Sequence, residues 1–290
     1  GAKAAAAAGS EPPAPADPEK QNVFMAPTPL FHVTANNCLL HPATISGSKI
    51  VLTYKWDAAR ALELIEREGV TNFSGVPTMT REMLMHPDWQ TRDTSTLVGL
   101  GGGGAPLQPD LVEKIDKSQS GTSPSTGYGL TETHGIVTAN SGALYVAKPA
   151  SCGRIVPTLD AKLIDEAGND VANSGVGELC VRGAVVIKGY LNREESTAEA
   201  IQDGWFRTGD IATIDEDGYV FIVDRAKDMV LRGGENIYCS EVETAIYQHE
   251  AIAEAAVFGV PDDRLGEIVG VAIVLAPGAS LDDVGLREFL

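Results

Sequence analysis

Tyr128, Thr131 and Glu132 stand close together in "STGYGLTETHG", Ser125 to Gly135, with a glycine on either side of the tyrosine. An aromatic ring can stack on a flat base, a threonine hydroxyl can bond a phosphate oxygen, and a carboxylate is the hard oxygen ligand that Mg2+ prefers. The three together fit a magnesium nucleotide; taken alone, they also describe an ordinary turn with a solvated glutamate. "GGGGAPLQPDL", Gly101 to Leu111, carries no side chains over its first four residues. Backbone N–H and C=O groups can therefore approach a flat ligand there, although a flexible loop would read the same way. In "GWFRTGDIA", Gly204 to Ala212, Asp210 is expected just before a strand. One carboxylate there can accept from both hydroxyls of a ribose, and a turn aspartate would look alike. "VDRAKDMVLRGGENIYCSEVE", Val223 to Glu243, is a long polar, glycine-bearing joint with the character of a hinge.

The elements that must position these residues alternate. "WDAARALELIEREGV", Trp56 to Val70, spaces Leu62 and Ile65 on one face and ends at Gly69, a helix with a glycine cap leading into the strand "VTNFSGV". "TMTREMLM" returns as a helix, and "TLVGLGGGGAPL" is a strand running into a glycine loop ahead of the helix "PDLVEKID". This repeated β-α order predicts a layered α/β architecture. After Cys152 short strands with Asp, Gly and Asn turns predict a β-rich subdomain. Beyond Arg225, Ser240 and Glu243 read as a capping box for "EVETAIYQH", followed by two strands and a helix opening at Ser280. Residues 1–22 are alanine and proline with little that could pack, a linker or a disordered tail outside the fold. The chain stops at Leu290 inside its last helix, which suggests a fragment.

Composition limits the function classes. The 290 residues are 43% hydrophobic, enough for one or two domains with a sizeable core. With 22 Lys and Arg against 40 Asp and Glu the net charge is -18, which argues against nucleic acid as a partner. The four cysteines, Cys38, Cys152, Cys180 and Cys239, form no C-x-x-C pair and suit a reducing, cytoplasmic setting as small core residues. No apolar run approaches the ~20 residues of a membrane helix.

In this order and at these intervals, "GYGLTETHG", "GELCVRG", "GWFRTGD" and "DRAKDMVLRGGENIYCSEVE" resemble the adenylate-forming enzymes: acyl- and aryl-CoA synthetases, luciferases and peptide-synthetase adenylation domains. The resemblance runs from Val23 to Leu290 and is strongest to the fatty-acyl-CoA synthetases. It implies that residues 23–225 are part of the large layered α/β N-terminal domain, with the β-rich subdomain over about 152–225, and that 226–290 are part of a small α+β C-terminal domain after the hinge. The implied reaction has two halves. A carboxylic acid, of the fatty-acid class, attacks the α-phosphate of ATP with Mg2+ to give an acyl-adenylate and pyrophosphate; coenzyme A then takes the acyl group and AMP leaves.

The resemblance also implies roles. Tyr128 stacks on adenine with Gly129 beside it, Thr131 contacts phosphate, Glu132 holds Mg2+, and Asp210 and Arg225 reach the nucleotide. Gly103, Ala105 and Pro106 line the adenine and acyl sites. Lys227, otherwise a solvated charge, is the residue about which the small domain turns; Gly233 and Gly234 border the coenzyme A channel. His32, in "PLFHVTA", lies near the acyl group, where the residue alone reads as a core histidine. Two family features have no counterpart here: the phosphate loop expected before "PLFH", and a lysine expected after Leu290. Losing one such donor commonly lowers rates by about 10² to 10³, so the chain is expected to adenylate poorly and to be sticky at uncovered sheet edges. A nucleotide-binding truncation without catalysis, or the adenylation domain of a peptide synthetase, are the alternatives.

Overall fold

A computed structural model describes residues 21–105, 107–118, 121–172 and 175–290. Pro106, expected to line the adenine and acyl sites, and most of the Ala/Pro-rich stretch lie outside the described residues. The chain divides into two compact units. The first takes the described residues up to Asp160 with Val181–Glu199 and Asp217–Phe221; the second is Ala161–Cys180 with Ala200–Glu216 and Ile222–Leu290.

In the first unit, β1 (Val23–Ala26), β2 (Lys49–Leu52), β3 (Asn72–Gly75), β4 (Gly99–Gly103) and β5 (Ser123–Tyr128) form a parallel sheet, and β6 (Thr138–Ser141) and β7 (Gly153–Ile155) extend it antiparallel, in the order β2-β1-β3-β4-β5-β6-β7. Parallel neighbours need crossovers, and the helices Ala58–Glu68, Pro77–Met85 and Pro109–Asp116 supply them. Helix Ala58–Glu68 starts where Asp57 Oδ1 accepts from Arg60 N at 2.8 Å and stops at Gly69, whose φ of 66° is left-handed. It buries Ala61, Leu62, Leu64 and Ile65. These pack with Met25, Phe73, Met83, Leu100, Leu111, Ile115 and Tyr145 in a continuous core.

The second unit is richer in antiparallel strands. β8 (Leu159–Ile164) and β9 (Asp170–Val171) pair, β10 (Gly177–Gly183) lies between β8 and β12 (Trp205–Ile214), and β11 (Ile201–Gln202) pairs with β12. β13 (Tyr219–Arg225) leads to a separate antiparallel sheet of β14 (Val230–Arg232), β15 (Glu235–Ile237), β16 (Ile252–Asp262) and β17 (Gly266–Leu275), ordered β15-β14-β17-β16. The helices Cys239–Ile246 and Asp283–Phe289 accompany it. Val230, Cys239, Ile246, Ile252 and Val257 form its core, with Leu281 and Leu286 packed on it.

The capping box expected at Ser240 and Glu243 is not formed, because the helix begins two residues earlier, with Tyr238 as N-cap and no side-chain cap. Ser240 instead donates from Oγ to Val223 O, and Glu243 Oε1 accepts from Val257 N at 2.9 Å, a partner 14 residues away. Long-range partners took both polar groups. Among the described residues no helix is long and apolar enough to cross a membrane.

Candidate functional site

In the first unit, β4 and β5 run parallel, with Gly103 opposite Gly127. Both strands end there at their carboxyl edges, which places Gly103, Tyr128 and Gly129 side by side, at the edge where open α/β sheets bind ligands. The glycines of β4 are needed by the sheet itself: a Cβ on Gly101 would meet Ser125 O at 1.9 Å, and one on Gly102 would meet Gly75 O at 1.8 Å. Close strand approach therefore explains the first two of the four glycines. Gly104, with φ 84°, and exposed Ala105 carry the chain away from the edge.

After Tyr128 the chain folds into the single turn Thr131–Thr133. A Cβ on Gly129 would sit 2.4 Å from Gly135 O, so glycine closes this turn tightly. Buried Thr133 staples it, its Oγ1 accepting from Leu130 N and donating to Leu130 O, both at 3.0 Å. Thr131 is exposed and Glu132 half-buried. His134 adopts φ 56°, and its Nδ1 lies 2.7 Å from Val185 O. Gly135, with φ 98°, leaves room for the segment that bears His32: a Cβ would lie 2.5 Å from Cys38 Sγ and 3.1 Å from Val33 Cγ2. His32 itself is exposed, contrary to a core position, and its Nδ1 accepts from Thr34 N at 3.2 Å.

Glu132 is held at two points by the stretch 185–190. Its carbonyl accepts from Ile187 N at 2.8 Å, and its Oε1 accepts from the Tyr190 hydroxyl at 2.8 Å. Burial, and then the Glu132 carboxylate, push the Tyr190 phenol up to about 12. Tyr190 was not legible as a site residue; its place depends on a pairing 58 residues apart. Among the described residues no cluster of three or more His, Cys, Asp or Glu could hold a metal. One carboxylate fits Mg2+, which keeps waters and takes phosphate oxygens as its other ligands.

In the second unit Asp210 lies inside β12 rather than just before a strand. It is nearly fully buried, and its Oδ1 is 3.5 Å from Arg225 Nε. The two residues expected on the nucleotide are thus brought together. The bend before Asp210 is built by Glu178 of "GELCVRG": Oε1 accepts from Gly209 N at 3.0 Å, and Oε2 takes two donors of Arg207. Gly209 has φ 72°, Thr208 Oγ1 donates to Leu179 O at 2.7 Å, and Ala226 N donates to Gly209 O at 2.8 Å. Lys227 is exposed in the turn that follows, where Asp228 N and Met229 N donate to Arg225 O. Gly233 and Gly234, with φ 63° and 91°, are the two-residue loop of the β14-β15 hairpin, a turn that demands left-handed backbone at both positions.

The family model of AMP-binding enzymes matches residues 3–191, well over half of the chain. The chain belongs to the AMP-binding enzyme family. The model of the AMP-binding enzyme C-terminal domain matches residues 241–290. The chain is 40% identical over 265 residues to feruloyl-CoA synthase of an Amycolatopsis species, covering 90% of this chain and 53% of that protein. It is 38% identical over 262 residues to the long-chain-fatty-acid–CoA ligase of Bacillus subtilis, covering 90% and 46%. Among solved structures, o-succinylbenzoate CoA synthetase from Bacillus subtilis in complex with its acyl-adenylate intermediate superposes with a TM-score of 0.84 at 30% identity, over 93% of this chain and 54% of that one. The chain shares that mixed α/β fold and spans about half the length of the curated relatives it matches.

Proposed function

We propose that the protein is an acid–CoA ligase, which activates a carboxylate with ATP as an acyl-adenylate and transfers the acyl group to coenzyme A. A carboxylate is a poor electrophile until its charged oxygen becomes part of a good leaving group, and AMP is that group. The observation that carries the reading is the turn Gly129–Gly135. Gly103, Tyr128 and Gly129 meet at the carboxyl edge of parallel strands, and Glu132 is fixed one turn further on. In this reading the Tyr128 ring stacks on adenine, Thr131 bonds phosphate, and Asp210 accepts from the ribose hydroxyls with Arg225 beside it. Mg2+, held by Glu132, would neutralise phosphate charge. His32 faces the acyl side, Lys227 serves as the turning point of the small domain, and Gly233 and Gly234 border the coenzyme A channel.

The acid is proposed to be a fatty acid, in keeping with the long-chain ligase relative. An aryl acid is the second reading, favoured by the feruloyl-CoA synthase relative at 40% identity. A cytoplasmic setting, where thiols stay reduced, suits the four free cysteines.

Titration calorimetry with a non-hydrolysable acyl-adenylate analogue tests the reading. Asp210→Ala is expected to weaken binding by about 10- to 100-fold, the range for hydrogen bonds to a charged group. Equal affinity of wild type and variant would remove Asp210 from the site. Fatty-acyl against feruloyl analogues, compared in the same assay, separates the two acids.

A further inference from the structure

We infer that Tyr190 is a positioning residue for Glu132, holding its carboxylate in the orientation in which it meets a nucleotide-bound Mg2+. The inference rests on Glu132 as the metal ligand, and it goes beyond that reading by assigning the side chain that sets the ligand's rotamer. A lone glutamate on a one-turn loop has three side-chain torsions to lose when it binds a cation, and fixing them beforehand reduces that loss. The fixing here has two parts. The Glu132 backbone is pinned by Ile187 N at 2.8 Å, and His134, two residues on, has its Nδ1 2.7 Å from Val185 O. The carboxylate is then oriented by the Tyr190 hydroxyl on Oε1 at 2.8 Å.

Tyr190 is itself held. Its backbone N donates to Thr197 Oγ1 at 2.9 Å, and Thr197 Oγ1 donates to Arg193 O at 2.7 Å. A Cβ on Gly189 would come within 2.6 Å of Thr197 Cγ2, so the glycine before Tyr190 lets helix Glu194–Ala200 close on the segment. A phenol donates one proton and leaves the carboxylate its full charge, whereas a lysine or arginine at that place would compete with the cation. Neutral orientation is what a metal-binding carboxylate requires.

The test is calorimetry of the protein with the β,γ-imido analogue of ATP at rising Mg2+, with AMP in the absence of metal as the control. Tyr190→Phe is expected to raise the Mg2+ concentration at half-saturation by about 10-fold or more while AMP affinity stays within twofold, since a hydrogen bond to a charged group is worth about 1.5 kcal/mol or more. Glu132→Gln should raise it further, and the double variant should equal Glu132→Gln. If Glu132→Gln shifts the Mg2+ midpoint and Tyr190→Phe leaves it within twofold of wild type, the positioning role is overturned and the Glu132 reading stands. If Glu132→Gln shifts nothing, the metal reading falls and the inference with it. Loss of AMP binding in Tyr190→Phe would make the residue merely structural and overturn the inference. A second measurement avoids the Tyr190 variant: in protein labelled at tyrosine Cζ, one of the seven phenol carbon resonances should move when Mg2+ and the analogue are added, stay put with AMP, and stay put in Glu132→Gln. No such resonance overturns the inference.

Discussion

Glu178 positions Asp210 through the backbone. It accepts from Gly209 N and from Arg207, and the left-handed Gly209 turns the next residue inward toward Arg225. Glycine is required there by torsion, since no neighbour lies within 4 Å of a Cβ. At the same scale Tyr145 makes a measurable signature. Burial pushes its phenol up to about 12, against a bond to Thr126 that lowers it and a smaller contribution from Cys152 that raises it. A raised phenol stabilises the fold fully below the unfolded value near 10, and that stability is lost as pH climbs from about 10 through 12. The full loss is roughly 2–3 kcal/mol, two pKa units at 1.36 kcal/mol each. Urea midpoints at pH 8 to 11 should therefore fall more steeply in wild type than in Tyr145→Phe, and parallel slopes would refute the assignment.

Elements here are set as much by how closely strands approach as by pattern. Gly69 and Gly102 are both glycines, yet the demands on them differ. Nothing lies within 4 Å of a Cβ on Gly69, whose left-handed φ alone is at stake, so Gly69→Ala should cost about 1 kcal/mol. A Cβ on Gly102 would overlap Gly75 O in β3, and no side chain can yield because the obstacle is backbone. Gly102→Ala is expected to cost more than about 3 kcal/mol or to prevent folding of the first unit. Thermal melting of the two variants tests the order, and equal shifts would mean that β3 and β4 tolerate separation.

For the whole molecule the excess of acidic groups decides behaviour in acid. The net charge of -18 keeps molecules apart near neutrality, and the isoelectric point of about 4.6 predicts a solubility minimum there. Unfolding is a separate event. Glu63, Glu66 and Glu68 are held below the usual carboxylate range, first by Arg60, by the Asp93 backbone N–H and by Lys49 respectively. Groups with lowered pKa contribute stability above the unfolded value near 4.5, and that contribution is lost as pH falls below it. Protein collected from turbid suspensions at pH 4.6 should thus redissolve at pH 7 with an unchanged circular dichroism spectrum, while at pH 3 the melting temperature should be lower. Irreversible loss of signal at pH 4.6 would contradict this separation.

Local pattern by itself determined much of the first unit. Helix Ala58–Glu68 with its Gly69 cap, the strand-to-helix passages at Gly75 and Gly103, and the proximity of Tyr128, Thr131 and Glu132 follow from near neighbours in the chain, which is what periodicity and turn chemistry encode. Residues carrying a known motif order were enough to indicate the family. The tertiary structure decided the remainder: that Tyr190 orients Glu132 across 58 residues, that Glu178 shapes the bend at Gly209, that Ser240 and Glu243 leave the helix cap for distant backbone partners, and that β4 glycines serve strand contact. A polar side chain can bond whichever donor or acceptor lies within about 3 Å, and for these residues that partner is far away in sequence. Only the folded chain brings it into reach.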